Sequence, residues 1–162
     1  MIQKATLSQL SEILAVYEKA RSFMAETGNP TQWGTNYPPE EMIRRDILDG
    51  KCYVNLRDNK ILAVFYFAIE SDPTYAYIDG SWLNDAPYGV IHRIAVGESG
   101  KGAAAACFAF AESLCENIRI DTHENNIPMQ RCLAKHGFVR CGTIYLEDGD
   151  PRIAYQKVIN NG

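Results

Sequence analysis

The chain has no C-x-x-C pair, and none of its five cysteines stands with a histidine at zinc-ligand spacing. Cys52, Cys107, Cys115, Cys132 and Cys141 therefore read as reduced, buried thiols, and no metal is expected. Positive charge is not in excess: 16 Lys and Arg stand against 20 Asp and Glu, for a net charge of -4. A nucleic-acid backbone needs a basic face, so no nucleic-acid partner is expected. Long apolar runs are missing too. The longest, "ILAVFYFAI" from Ile61 to Ile69, is about half a membrane span. The opening "MIQKATLSQL" lacks the apolar stretch of a signal peptide. Neither a membrane nor an export route is expected, and a cytoplasmic location is. Internal repeats and low-complexity segments are absent as well.

What is present is ordinary for a folded chain: 162 residues, 46% hydrophobic and 22% charged. That length predicts a single domain over 1–162, large enough to bury about two-thirds of its unfolded surface. Alternating "MIQKAT" predicts a first strand. Thr6 and Gln9 form a capping pattern ahead of apolar residues at helical spacing, Leu10, Ile13, Leu14, Tyr17, Ala20 and Met24. That helix should stop by Gly28-Asn29-Pro30. A loop carrying Trp33 and Tyr37 follows, and then a short helix from Pro39 to Gly50 with Met42, Ile43, Ile47 and Leu48 inward. "KCYVNLR" and "KILAVFYFAI" flank Asp58-Asn59 as a hairpin. "YAYID" is a candidate extra strand, "GVIHRIAV" and "ENIRIDTH" are further strands, Asn126 caps a helix that ends at Gly137, and two closing strands follow.

The stretch "VGESGKGAAAACFAF", Val96 to Phe110, carries the chemistry. It is not a Walker A loop. Aligned on Gly100-Lys101, the first glycine position is Ala95, and the magnesium-holding Ser or Thr position is Gly102. The dinucleotide fingerprint fails because "GKGAAA" lacks its final glycine and does not follow an early strand. What remains is a strand, a short glycine loop and a helix start. Amides of the first helical turn have no intrahelical acceptor, and side-chain-free Gly100 and Gly102 let an anion reach them. Two readings stay open at this point: a metal-free pyrophosphate cradle, or a plain turn before a tightly packed helix.

The residues resemble the GNAT superfamily of N-acetyltransferases. Its signature is a strand ending apolar-Ala-Val, then R/Q-x-x-G-x-G/A opening a helix. Here "RIAV" is followed by Ser99-Gly100-Lys101-Gly102-Ala103-Ala104. The family's later "N-x-x-A…K-x-G-F" helix is similar to "NNIPMQRCLAKHGF", with Asn126 eleven residues before Gly137-Phe138. The resemblance implies an α/β fold of the α+β type: a mixed, mostly antiparallel sheet of six or seven strands, splayed between the strands at 88–96 and 118–123, with about four flanking helices. It implies acetyl-CoA as cosubstrate, its pyrophosphate on the amides of Ser99 to Ala104 and its pantetheine arm pairing with the backbone at Ile94 and Val96. Asn126 would reach the cofactor or hold its strand-to-helix turn. An amine, on a small molecule or a peptide, would attack the thioester directly, with a backbone N–H near Ile94 polarising the carbonyl. Dimers are frequent in the family, so a homodimer is among the expectations. The alternative function is a domain that binds CoA or acyl-CoA without turnover.

Many members place a tyrosine four residues before the Gly, as acid for the leaving thiolate; here that position is Leu133. Tyr155, on the last strand, is the substitute candidate acid. His92 is the candidate base, because a histidine changes charge near neutral pH and the family's common carboxylate two residues earlier is Val90. Each could equally be a structural residue. Tyr17, Arg21, Trp33 and Tyr37 come from the region that covers the acceptor site in the family. Arg21 could pair with an acceptor carboxylate, and Trp33 either recognises the acceptor or anchors its loop.

Overall fold

The computed structural model describes residues 1–97 and 102–159. Their elements follow in order as β1 (Ile2–Lys4), α1 (Leu10–Glu26), α2 (Glu40–Leu48), β2 (Cys52–Arg57), β3 (Lys60–Ile69), β4 (Asp79–Gly80), β5 (Gly89–Val96), α3 (Ala103–Glu112), β6 (Asn117–Thr122), α4 (Ile127–Lys135), β7 (Val139–Tyr145) and β8 (Pro151–Val158). This is the expected order with one strand added. The described residues hold eight strands where six or seven were expected, and the addition is the two-residue β4. The chain divides into two compact units, Met1–Phe67 with His92–Phe110, and Ala68–Ile91 with Ala111–Gly162.

In the first unit the strands run in the order β1-β2-β3-β5. β2 and β3 form the hairpin; Asp58 and Asn59 at its turn have φ of 52° and 63°, the left-handed pair that matches the twist of two joined strands. The capping pattern is real: the Thr6 amide donates to Gln9 Oε1 at 2.9 Å, opening a 3-10 turn that runs into α1. Of the expected α1 stripe Leu14 and Met24 are partly buried, while Leu10, Ile13, Tyr17 and Ala20 are buried and Val16 joins them. They join Ile43 and Ile47 of α2, Val54 of β2 and Val64 of β3 in one core. Leu48 does not; it was expected inward and is 67% exposed. The inward stripe of α2 is Ile43, Asp46 and Ile47, so a carboxylate takes a core-facing position. The aromatic ring of Phe110 on α3 lies 5.0 Å from that of Tyr53 and 6.2 Å from that of Phe65. Small Ala103, 3% exposed at the start of α3, allows this close seating.

In the second unit β6 pairs antiparallel with β8 from Asn117↔Val158 to Thr122↔Ile153, and β8 with β7. β5 pairs parallel with β6 at Gly89↔Ile118 and Val90↔Arg119, which makes the sheet mixed. β4 joins β7 where Gly80 faces Gly142, and a Cβ on either glycine would overlap the opposing backbone. Asn126 caps α4, its Oδ1 accepting from the Met129 amide at 3.2 Å. The helix ends in a Schellman pattern, with Phe138 N donating to Leu133 O at 3.0 Å and Gly137 N to Ala134 O at 3.2 Å.

The segment from Asp72 to Tyr88 is pinned by β6 and β8. The Arg119 guanidinium lies 4.1 Å from the ring centroids of both Trp82 and Tyr88 and donates to Asn84 O at 2.9 Å. Tyr75 donates to Asp121 Oδ2 at 2.7 Å, and the Leu83 amide to Gln156 Oε1 at 2.9 Å.

Candidate active site

The first unit gathers Tyr17, Arg21, Trp33, Tyr37 and His92 around the middle of β5. That strand is broken there. Arg93 has φ of +49°, a left-handed conformation that costs an L residue about 1–2 kcal/mol. Successive side chains of a regular strand point to opposite faces. Here His92 and Arg93 both meet Tyr66: the His92 ring lies 5.6 Å from the Tyr66 ring, and the guanidinium 4.6 Å above it.

The strained residue is held from three sides. Tyr17, 1% exposed, donates its hydroxyl to the Arg93 carbonyl at 2.7 Å. Asp46 Oδ2 accepts from Arg93 Nε at 3.0 Å and from a terminal guanidinium nitrogen at 2.8 Å. Arg93 also donates to the Tyr37 hydroxyl at 3.4 Å. Burial pushes the Asp46 carboxyl above the usual carboxylate range, and the Arg93 charge pulls part of that back. Burial likewise raises the Tyr17 phenol well above its usual value, so the hydroxyl keeps its proton and stays a donor. The neighbouring Cys52 thiol is pushed up to about 12, chiefly by burial, and is no nucleophile.

Beyond Arg93 the strand is regular again. Gly97 N donates to Leu62 O at 2.7 Å, so the amide of Gly97 faces β3. Amides alternate sides along a strand, which turns those of Val96 and Ile94 to the edge opposite β3. These are the two residues expected to pair with a pantetheine arm. Glu98 to Lys101 lie outside the described residues, and with them the expectations for Ser99, Gly100 and Lys101. Gly102 is described: φ is +80°, and a Cβ built there meets nothing within 4 Å among the described residues. Its carbonyl accepts from Ala106 N at 3.0 Å, so it caps α3. The amides of Ala103 and Ala104 belong to the first turn, which has no intrahelical acceptors.

Among the aromatics, Trp33 is 9% exposed and packs 5.7 Å edge-on from Tyr17 and 6.1 Å from Tyr37. Burial and these two ring contacts anchor its loop to the core. Arg21 donates to Tyr37 O at 3.3 Å and lines an open groove of about 420 Å³ between α1 and residues 35–40, with Glu18 and Glu40.

The other candidates lie in the second unit. Asn126 is 8% exposed and spends its Oδ1 on the helix cap. Tyr155 is 5% exposed on β8 opposite Ile120, and burial raises its phenol above the usual value. Leu133 is fully buried. Cys132 Sγ lies 3.7 Å from His136 Nδ1, but burial raises the thiol. His123 Nδ1 accepts from the Asn125 amide at 3.0 Å.

Three residues of the first-unit cluster escaped the sequence reading: Asp46, Tyr66 and Arg93. Asp46 had a signal, a carboxylate inside the apolar stripe of an amphipathic helix. The left-handed turn of Arg93 had none, because arginine carries no preference for it.

No protein-family model matches the chain, and no curated protein matches it. Solved structures do. The chain is similar to an acetyltransferase of the GNAT family from Streptococcus agalactiae, at 31% identity and a TM-score of 0.88, covering 99% of this chain and 96% of that one. An acetyltransferase of the GNAT family from Listeria monocytogenes shares the fold at 20% identity and a TM-score of 0.71, covering 98% and 94% of the two chains. One from Bacillus cereus does so at 20% identity and a TM-score of 0.59, covering 99% and 98%.

Proposed function

This chain belongs to the GNAT family of acetyltransferases, and from that premise we propose that it moves an acetyl group from acetyl-CoA to a primary amine by direct attack. The observation that carries the reading is the break at Arg93, in the strand that leads to the glycine-opened helix. A strained non-glycine residue persists only where its surroundings over-determine it, and such residues concentrate at working sites.

Acetyl-CoA supplies an activated thioester: the amine nitrogen bonds to the acetyl carbon, the carbon–sulfur bond breaks, and the thiolate takes up a proton. The residues present fit it. Gly102 leaves open space beside the first amides of α3, where an anionic group is favoured by the helix dipole. The Val96 and Ile94 amides face an edge of β5 that an extended arm can pair with. The Ile94 N–H is the donor assigned to the thioester carbonyl. His92 is the base that takes the amine's proton. Arg21, at the groove with Glu18 and Glu40, suits an acceptor that carries a carboxylate as well as an amine. Gly102, with Ser99, Gly100 and Lys101 before it, is assigned to the pyrophosphate.

The test is calorimetric titration with acetyl-CoA, alongside thiol release with a panel of polyamines, amino acids and peptides with free N-termini. Binding with acceptor-dependent thiol release is expected. Binding without release would refute turnover and leave a CoA-binding domain; no binding would refute both. Gly102→Asn, which tolerates the left-handed backbone but projects a side chain into the open space, should weaken CoA binding at least tenfold. Unchanged affinity would place the anion elsewhere.

A further inference from the structure

We propose that Tyr17 is a positioning residue: its buried hydroxyl fixes the plane of the Arg93–Ile94 peptide and so aims the Ile94 N–H. A trans peptide points its carbonyl and its N–H in opposite directions. Tyr17 Oη donates to the Arg93 carbonyl at 2.7 Å, so the direction of that bond sets the direction of the amide at the other end. The need for such a hold is visible in the strand. Arg93 sits at φ +49°, where an L residue relaxes unless held, and relaxation would rotate this peptide.

The side chain of Arg93 is tied separately. Asp46 takes two of its nitrogens, at 3.0 and 2.8 Å, and Tyr66 lies beneath its guanidinium at 4.6 Å. Those ties hold the residue in place. The Tyr17 bond is made to the peptide itself. Tyr17 can serve because it is immobile: it is 1% exposed, on the inward face of α1, and Trp33 packs edge-on against it at 5.7 Å. The loop tryptophan thus supports the site through Tyr17. A hydroxyl aimed at a backbone carbonyl across 76 residues of sequence also joins α1 to the centre of β5.

The inference rests on the reading of Ile94 N–H as the donor to the thioester carbonyl. Its test is the carbonyl stretch of acetyl-CoA labelled with carbon-13 at the carbonyl, recorded by isotope-edited infrared difference on the complex, with calorimetry alongside. Wild-type protein should shift the stretch to lower frequency than in free acetyl-CoA. Tyr17→Phe should lose at least half of that shift while the dissociation constant for acetyl-CoA stays within threefold. Asp46→Asn, which loosens only the side-chain tie, should lose less of it. Trp33→Phe, which loosens the packing that holds Tyr17, keeps the test decisive if Tyr17→Phe does not fold: the shift must then fall in Trp33→Phe. A full shift in every folded variant would overturn the positioning role and leave the acetyltransferase reading intact. Binding with no shift in wild type would overturn the role of the Ile94 amide and this inference with it. No binding in wild type would sink the reading beneath both.

Discussion

Replacing Arg93 by glycine and by alanine should invert the usual order of stability. Both changes delete the guanidinium equally, so the lost contacts with Asp46, Tyr37 and Tyr66 cancel in the comparison. Both are best made in an Asp46→Asn background, because removing one partner of a buried pair strands the other charge. What differs is the backbone. At φ +49° alanine suffers a clash worth about 1–2 kcal/mol that glycine escapes. Glycine loses more chain entropy on folding, about 0.5–1 kcal/mol. The net is glycine equal to alanine or ahead by up to about 1.5 kcal/mol. At a regular strand position such as Gln3 of β1 the same pair should favour alanine by about 0.5–1 kcal/mol. Urea unfolding of the four proteins measures both differences, and in thermal melts each kcal/mol is about 2–4 °C for a chain of this size. Alanine ahead of glycine at residue 93 by as much as at Gln3 would refute the left-handed strain, and with it the reading of Arg93 as a residue held against relaxation.

Trp33→Ala should destabilise by about 3–5 kcal/mol in urea, as a core cavity does, whereas a recognition residue would change binding and leave the midpoint alone. His123 should titrate below the usual histidine value, chiefly because of burial and then Arg152. Its contribution to stability is present above the unfolded pKa and lost as pH falls through the folded one, since only a neutral ring accepts the Asn125 amide at Nδ1. An imidazole resonance that titrates at or above the ordinary value would contradict this. Cys52 and Cys107, both pushed up to about 12 by burial, should resist a thiol reagent at pH 8 until the protein is unfolded; mass mapping of native labelling checks it.

Much of the fold was legible because its signals are local. Asp58-Asn59 announced a hairpin, Thr6 and Gln9 a helix start, and Asn126 with Gly137 both ends of α4. Each needs only neighbours a few residues away. β4 was legible only at its edge: the candidate strand at "YAYID" reached Asp79, but the strand is Asp79–Gly80 and Tyr75 lies in a 3-10 turn. β4 exists because two glycine backbones, Gly80 and Gly142, approach closely, and that is a tertiary fact. Leu48 was misplaced for a related reason: the inward position on α2 is held by Asp46, whose partner lies on a strand 47 residues away. The candidate site divides along the same line. Gly102 could be read from the pattern of strand, glycine and helix, whereas Ile94 and Val96 were named only through the family resemblance. The hold on Arg93 could not, because it is made by residues that come together only when α1, α2 and β5 pack.

The clasp on the Asp72–Tyr88 segment has a consequence for the order of events during synthesis. The Leu83 amide bonds to Gln156, 73 residues later in the chain. A ribosome adding about 5–20 residues per second needs roughly 4–15 s to cover that distance. Over that interval Trp82 and Tyr88 have left the ribosome before the β8 strand that completes their surroundings. Arg119 arrives midway and can seat the two rings first. The partner that both rings share, the Arg119 guanidinium, thus lies on the chain well before β8, and their contact with it does not wait for the last strand.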